Sequence, residues 1–367
     1  MNGGTLHWLA FHLTFLSCPA AGRRALKHLR AVRDVVLARP SDLEGLRLPS
    51  EAFQEIVTRR ALAEAAVELE KIDRKAYTLL TFEDPGYPKS LREIFDPPLV
   101  LYCAGRAEVL EEPAVAIVGS RRPTPYGRAL AGKLAGDLAS RGCVIVSGLA
   151  VGIDACAHWG ALKEGRTIAV LGSGLDVDYP RVNSRLAEKI AERGAVLSEF
   201  PLGTPPLQKN FPIRNRIISG LAMGLVVVEA AERSGSLISA GFALDQGREV
   251  LAVPGNVTSE QSRGANGLIK AGAKLVETWE DVAEELPTPW REKLLARREE
   301  KVDNSRDSLT EDENRLMKEL PADGAVHVDE LAERTGWPVS GLLALLLGLE
   351  LRGLAVQHPG KLFQRSI

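Results

Sequence analysis

Six short runs, rich in valine and almost wholly apolar, constrain this chain more than any other feature. They fall at 115–118, 143–146, 168–171, 195–198, 225–228 and 250–253, with helical patterns such as Arg128 to Ser140 and Asn183 to Glu192 between them. A strand that is apolar at nearly every position is buried on both faces, and strands separated by helices pair in parallel. Residues 76–286 are therefore expected to form an α/β domain whose parallel sheet is covered on both sides. Ligands of such sheets bind beyond the carboxyl ends of the strands, where loops enter helices.

Two of those loops carry cations. The first run leads into Gly119-Ser120-Arg121-Arg122, and the fourth is followed by Lys209-Asn210-Phe211-Pro212-Ile213-Arg214-Asn215-Arg216. The whole chain has 46 basic and 48 acidic residues, which excludes a uniformly basic nucleic-acid binder. The positive charge is local: Pro113 to Gly136 holds four basic residues and no acid, and Phe200 to Val228 holds three and none. Acids gather instead at 108–112 and 277–285. This is the pattern of a phosphate-binding face.

On either side of the sheet region the spacing changes. Residues 1–75 repeat apolar positions at three and four, as in Leu26, Leu29, Val32, Val35 and Val36, and read as a small helical domain. The run Leu6 to Leu16 has no preceding Lys or Arg and is interrupted by His7 and His12, so it reads as a buried helix rather than a leader. No other stretch is long and apolar enough to span a bilayer, and a cytoplasmic location is expected. Cys18, Cys103, Cys143 and Cys156 lie far apart without metal-ligand spacing, so neither a zinc site nor a disulfide framework is indicated. Residues 287–308 are rich in proline and charge and read as an exposed linker. Residues 309–367 follow the order of a winged helix: Thr310 and Glu313 cap a first helix, Val328 to Arg334 forms a second, and Ser340 to Arg352 a third ended by Gly353. Leu354 to Gln364 then folds back as two strands about Pro359-Gly360.

The loop motifs each admit a functional and a structural reading. Gly119-Ser120-Arg121 ends a strand and opens a helix, where a glycine lets backbone amides approach an anion; the arginine favours anion binding over a bare turn. Its spacing matches neither the dinucleotide nor the P-loop fingerprint, so no nucleotide cofactor is expected. Ser147-Gly148 ends the next strand, followed by Asp154 and His158, either an acid/base pair or a helix start with a packed histidine. Ser234-Gly235-Ser236 is a plain helix cap or, beside Arg121 and Lys209, the end of a continuous rim of donors. Phe211 lies in an acid-free loop, as a base-stacking platform worth roughly 1–3 kcal/mol per base or as a hydrophobic plug.

At these residues the sequence resembles the DprA (Smf) family. Tyr87-Pro88, Val118-Gly-Ser-Arg121, Ser147-Gly-Leu-Ala-Val-Gly-Ile-Asp154, Thr167-Ile-Ala-Val-Leu-Gly172, Tyr179-Pro180, Phe211-Pro-Ile-Arg-Asn-Arg-Ile-Ile218, Ser234-Gly-Ser-Leu-Ile-Ser-Ala240 and Val253-Pro-Gly255 fall in the family's order. The resemblance implies an extended Rossmann-like domain between an N-terminal helical (SAM-like) domain and a C-terminal winged helix. It also implies a cytoplasmic homodimer that binds single-stranded DNA and loads RecA onto strands coated by single-strand-binding protein, with no enzymatic activity and no cofactor. Carried over by position, the DNA contacts would come from Gly119, Ser120, Arg121, Ser147, Gly148, Lys209, Phe211, Arg214, Asn215, Ser234, Gly235 and Ser236, unless Arg214 and Arg216 brace the loop internally.

Two departures limit the resemblance. The third helix of the tail, Leu342 to Glu350, is nearly all apolar where a groove-reading helix needs polar side chains, so a packing or protein-contact role is expected. Cys18-Pro19-Ala20-Ala21-Gly22-Arg23-Arg24 has the look of a helix-hairpin-helix turn but carries Ala20 in place of the first glycine, which leaves a simple interhelical turn as the alternative. A rival class also resembles the sheet: nucleotide hydrolases related to lysine-decarboxylase-like proteins. Their Pro-Gly-Gly-x-Gly-Thr-x-x-Glu run is replaced here by Ala231-Glu-Arg-Ser-Gly235-Ser.

Overall fold

The structure is a computed structural model that describes residues 3–295, 309–321, 324–351 and 354–365. They form two compact units, Met1–Leu295 and Ala296–Ile367.

The first unit opens with five helices: α1 (Gly3–Phe15), α2 (Pro19–Leu29), α3 (Val32–Val36), α4 (Ser50–Val57) and α5 (Arg60–Arg74). Trp8, Leu9, Ala10, Phe11 and Phe15 of α1 are buried, so the Leu6 to Leu16 run is a core helix. The hairpin reading of residues 18–24 does not hold. Ala20 to Arg24 lie inside α2, and the amides of Ala21 and Gly22 donate to the Cys18 carbonyl instead of standing bare.

Nine strands follow: β1 (Thr78–Thr81), β2 (Val100–Gly105), β3 (Ala114–Val118), β4 (Val144–Ser147), β5 (Thr167–Leu171), β6 (Ala195–Ser198), β7 (Gly224–Val227), β8 (Glu249–Ala252) and β9 (Lys274–Leu275). They build one sheet in the order β1-β2-β6-β5-β4-β3-β7-β8-β9, parallel from β6 to β9, with β1 and β2 antiparallel at one edge. The helices between are α6 (Lys89–Arg92), α7 (Pro125–Ser140), α8 (Ile153–Glu164), α9 (Ser184–Arg193), α10 (Asn210–Leu221), α11 (Gly235–Asp245), α12 (Arg263–Lys270) and α13 (Trp279–Glu284). Alternate residues of each strand serve opposite faces. Val115 and Ile117 pack with Leu134, Leu138 and Ala157 of α7 and α8, whereas Ala116 and Val118 share a cluster with Ile217, Leu221 and Ala240 of α10 and α11. The strands of the six apolar runs are thus all parallel in an α/β domain, as those runs require. The five N-terminal helices share their core with Val100 and Tyr102 of the edge strand β2.

After β6 the chain crosses to the other side of β3 and continues with β7. Loops diverge at such a switch point, and a crevice opens beyond the strand ends.

Residues 288–295 are helical, and Leu294 is buried with Trp279 and Leu286. The exposed linker expected from residue 287 therefore does not begin there, because apolar contacts hold this stretch to the first unit; 296–308 lie outside the described residues. The second unit holds helices Glu311–Glu319, Val328–Thr335 and Val339–Leu351 and a sheet of Val326–His327, Leu362–Arg365 and Ala355–His358. Thr310 and Glu313 make the expected capping box. Leu342, Leu346 and Leu349 of the third helix are buried, while Gly341, Ala344 and Leu347 face outward without a charge among them. Gly353, expected to end that helix, is outside the described residues.

Candidate nucleic-acid interface

Beyond the carboxyl ends of β3, β4, β5 and β7 lies an open cleft of about 780 Å³. Four arginines line it, Arg121, Arg122, Arg214 and Arg233, against a single carboxylate, Asp154. A recess of about 50 Å³ adjoins it, walled by Gly148, Gly172, Tyr179 and Phe211.

The start of α10 supplies the middle of the cleft. Phe211, half-buried, Arg214 and Asn215 line it, whereas Lys209, the N-cap, is exposed and stands outside the lining. The Phe211 ring lies against Gly172, with the Arg121 guanidinium 5.4 Å from its centroid and the Tyr179 ring at 5.8 Å, tilted by 38°. A cation fixed beside an aromatic ring is favourable in itself and presents charge and a π-face together.

Two arginines on the same helix have separate fates. Arg216 is buried and donates to Glu199 Oε1 at 2.7 Å, with Asp96 Oδ2 at 3.5 Å. Burial works against its charge, but these two carboxylates outweigh it and raise its pKa. It is a brace. Arg214 is also buried, at 4% exposure, yet its Nε and Nη1 atoms have no hydrogen-bond partner. Burial pulls its pKa down to about 10 despite the attraction of Asp154. Its guanidinium passes so close to Gly148 that a Cβ at that position would overlap Nη1 and displace the arginine. Arg214 is thus a charged wall of the cleft rather than an exposed contact.

Several groups expected to stand bare are occupied by the protein itself. The helix after β3 begins at Pro125, not at Ser120, and its N-terminus already holds an anion. Glu229 accepts from the Thr124 amide at 2.9 Å and from the Thr124 hydroxyl at 2.5 Å, and its carboxylate lies against Gly127, where a Cβ would collide. The Ser120 amide donates to the Glu229 carbonyl at 2.6 Å, and its hydroxyl bonds Gln261. Ser147 is fully buried and its hydroxyl donates to the Ile117 carbonyl, so it joins two strands and does not reach the cleft. Ser234 accepts from the Ser236 amide as an N-cap, the Ser236 hydroxyl lies 2.7 Å from it, and Asn215 donates to the Gly235 carbonyl. Gly119 is hemmed in by Ile153, 2.7 Å from where a Cβ would sit.

Asp154 and His158 do not form an acid/base pair. Asp154 accepts from the amides of Gly148 and Ala150, and burial raises its pKa although Arg214 opposes this. His158 is fully buried, and its Nδ1–H donates to Thr167 Oγ1 at 2.7 Å while that hydroxyl donates to the Ile145 carbonyl. Burial and the Arg214 charge hold its pKa down to about 3. It is a neutral core residue. Sequence reasoning missed Arg233 and Gln261 as cleft residues; Arg233 stands next to the Ser234 cap, and that adjacency is the one signal it offered.

Residues 78–287 match the DNA recombination-mediator protein A family, and residues 300–361 match the DprA winged helix domain. The chain belongs to the DNA recombination-mediator protein A family. Among similar members, protein Smf of Synechocystis sp. is 35% identical over 99% of both chains. DNA processing protein DprA of Streptococcus pneumoniae is 42% identical over 69% of this chain and 88% of its own. The X-ray structure of that pneumococcal DprA superposes with a TM-score of 0.64 at 39% identity, covering 75% of this chain and 93% of that one. A structure of DNA processing protein A from Helicobacter pylori, described for its single-stranded DNA binding mode, gives 0.52 at 35% identity, with 56% and 93% covered. The α/β sheet and the winged helix of this DprA-family chain are the fold that the resemblance implied. Among the described residues no helix is long and apolar enough to cross a membrane.

Proposed function

We propose that this chain binds single-stranded DNA in the cleft beyond β3, β4, β5 and β7, protects it, and loads RecA onto it in place of single-strand-binding protein, acting as a cytoplasmic homodimer. One observation carries the DNA reading. The cleft joins four arginines to an aromatic ring that stands half-free with a guanidinium at its side, which is how a flexible strand is held by phosphates and unstacked bases. The relative from Helicobacter pylori, described for single-stranded DNA binding, supports the same ligand, and the family's description as a recombination mediator supports the hand-over to RecA. Arg121 and Lys209 take phosphates, Phe211 stacks a base, and Arg214 adds charge from behind Gly148. The amides of Ser120 and Ser236 are already bonded, so cations rather than helix termini supply the phosphate contacts.

Equilibrium binding to labelled oligo-dT and to the matching duplex tests the reading. Tighter binding of the single strand supports it; equal or absent binding overturns it. The exposed residues Gly341, Ala344 and Leu347 of the third helix carry no cation, so removal of residues 309–367 is expected to change oligo-dT affinity by less than about tenfold, or 1.4 kcal/mol.

A further inference from the structure

A second basic surface lies outside the cleft. From Met1 to Arg33 the chain holds five Lys and Arg residues and no Asp or Glu, in a protein of formal charge −2. Arg23, Arg24, Lys27, Arg30 and Arg33 are all exposed. Because α2 buries Ala21, Gly22 and Ala25, its outer side carries Arg23 and Lys27, four residues apart on one helix face, and Arg30 follows as the residue that ends the helix. Lys27, Arg30 and Arg33 make no ion pair among the described residues. The helix dipole favours cations only in the last turn, so it explains Lys27 but not Arg23 and Arg24 in the first half of α2.

Beside this surface stands Phe95, 90% exposed, while its neighbour Ile94 is buried. The Arg23 guanidinium lies 6.0 Å from the centre of the Phe95 ring. The backbone at Phe95 is held: Asp96 pairs with both Arg23 and Arg216, and the Tyr87 hydroxyl donates to the Pro98 carbonyl at 2.6 Å. The exposed Phe95 with Arg23 at its side thus parallels the half-buried Phe211 with Arg121 in the cleft. The two are linked through α10. Arg216 follows Phe211 by five residues, about 7.5 Å along the helix axis, and its carboxylate partner Asp96 is next to Phe95.

We infer that α2 and Phe95 form a second contact surface for the same single strand, extending its path from the cleft across the α10–Asp96–Arg23 link. Lys27, Arg30 and Arg33 hold phosphates there, while Arg23 pairs with Asp96 beside Phe95, which stacks a base. A single strand offers phosphates and free base faces together, whereas a duplex hides the faces that an exposed phenylalanine takes up. The inference rests on the proposed DNA reading of the cleft, and its test separates the two.

Full-length protein is titrated with labelled oligo-dT of about 5 and about 20 nucleotides, bracketing the reach of one binding face. The variants are Lys27→Gln/Arg30→Gln/Arg33→Gln, Phe95→Ala and Arg121→Glu, each checked for an unchanged thermal unfolding midpoint. For the long oligomer, the triple variant is expected to lower the slope of log affinity against log salt by about 2, each phosphate left without its cation accounting for about 0.7. Phe95→Ala is expected to weaken the long oligomer by about fivefold or more. The short oligomer stays within about twofold of wild type for both, because it fits within the cleft. Long-oligomer binding unchanged in both variants, with Arg121→Glu abolishing binding, overturns the second surface and leaves the cleft reading intact. Equal loss on both lengths, with Arg121→Glu without effect, overturns both and places the strand on α2 alone. Duplex DNA bound as tightly as the long single strand, with the same loss in Phe95→Ala, also overturns it.

Discussion

The starts of α7 and α11 and the start of α10 occupy the same rim of the sheet, and they differ in what their donors are doing. At α7 the Glu229 carboxylate sits on the helix terminus, and at α11 the Ser234 hydroxyl does. At α10 the side chains around the terminus are left open: Lys209 exposed, Phe211 half-buried, Arg214 with two unpartnered nitrogens. A helix N-terminus favours an anion only while it is vacant. With these termini capped from within, the rim is structural where its caps are, and the proposed phosphate contacts fall where its cations are.

The sharpest way to break that comparison uses two arginines of one helix. Arg216→Met leaves Glu199 buried without its partner and is expected to destabilise the protein by about 3–5 kcal/mol, read as a lower denaturation midpoint. Arg214→Met removes a buried cation that has no hydrogen-bond partner at Nε or Nη1 and only a through-space attraction to Asp154, so a smaller loss of stability than for Arg216→Met is expected, while oligo-dT affinity falls about tenfold. Equal effects of the two on stability would show that both are braces.

Next in size is Phe211→Ala. Loss of one stacked base is expected to lower oligo-dT affinity by about 1–3 kcal/mol, and an unchanged affinity would make the ring a plug.

Histidine 158 sharpens the structural side of the contrast. Its folded pKa, about 3, lies below its unfolded value near 6.5, so below pH 6.5 the unfolded state takes up a proton that the folded state refuses. Stability is therefore complete above pH 6.5 and falls toward pH 3 by up to about 1.4 kcal/mol per pH unit from this group. His158→Gln is expected to remove that share of the slope in denaturant unfolding measured across this range. A slope equal to the wild type would mean that the imidazole is not buried neutral.

The smallest effect belongs to Ser234→Ala. Loss of an N-cap costs about 1 kcal/mol of stability, and oligo-dT affinity is expected to stay within about twofold. A tenfold loss would make this rim segment part of the binding surface.

Much of this was legible in the residues, and the part that was not has a physical reason. The runs at 115–118, 168–171 and 225–228 declared buried parallel strands because every position must be apolar when both faces are covered. Thr78–Thr81 and Lys274–Leu275 gave no such signal, since edge strands keep one side toward solvent. Arg121 and Phe211 of the cleft, and Lys209 at the start of α10, announced themselves as cations and an aromatic in acid-free loops. The capping by Glu229 could not be read, because it joins residues 105 apart in the chain. The same holds for Ser147, whose hydroxyl turns to Ile117, 30 residues away. Local sequence reports which donors a loop carries, and only the fold reports which are already bonded.

The central claim is that side-chain cations of this cleft, Arg121 first, hold a single DNA strand. Binding of oligo-dT by the wild type and by Arg121→Glu, each across a salt series, tests it most directly. The account predicts a linear fall of log affinity with log salt for the wild type, and for the variant a loss of about 100-fold or more at low salt with a shallower slope. Wild-type affinity and an unchanged slope in Arg121→Glu would contradict it.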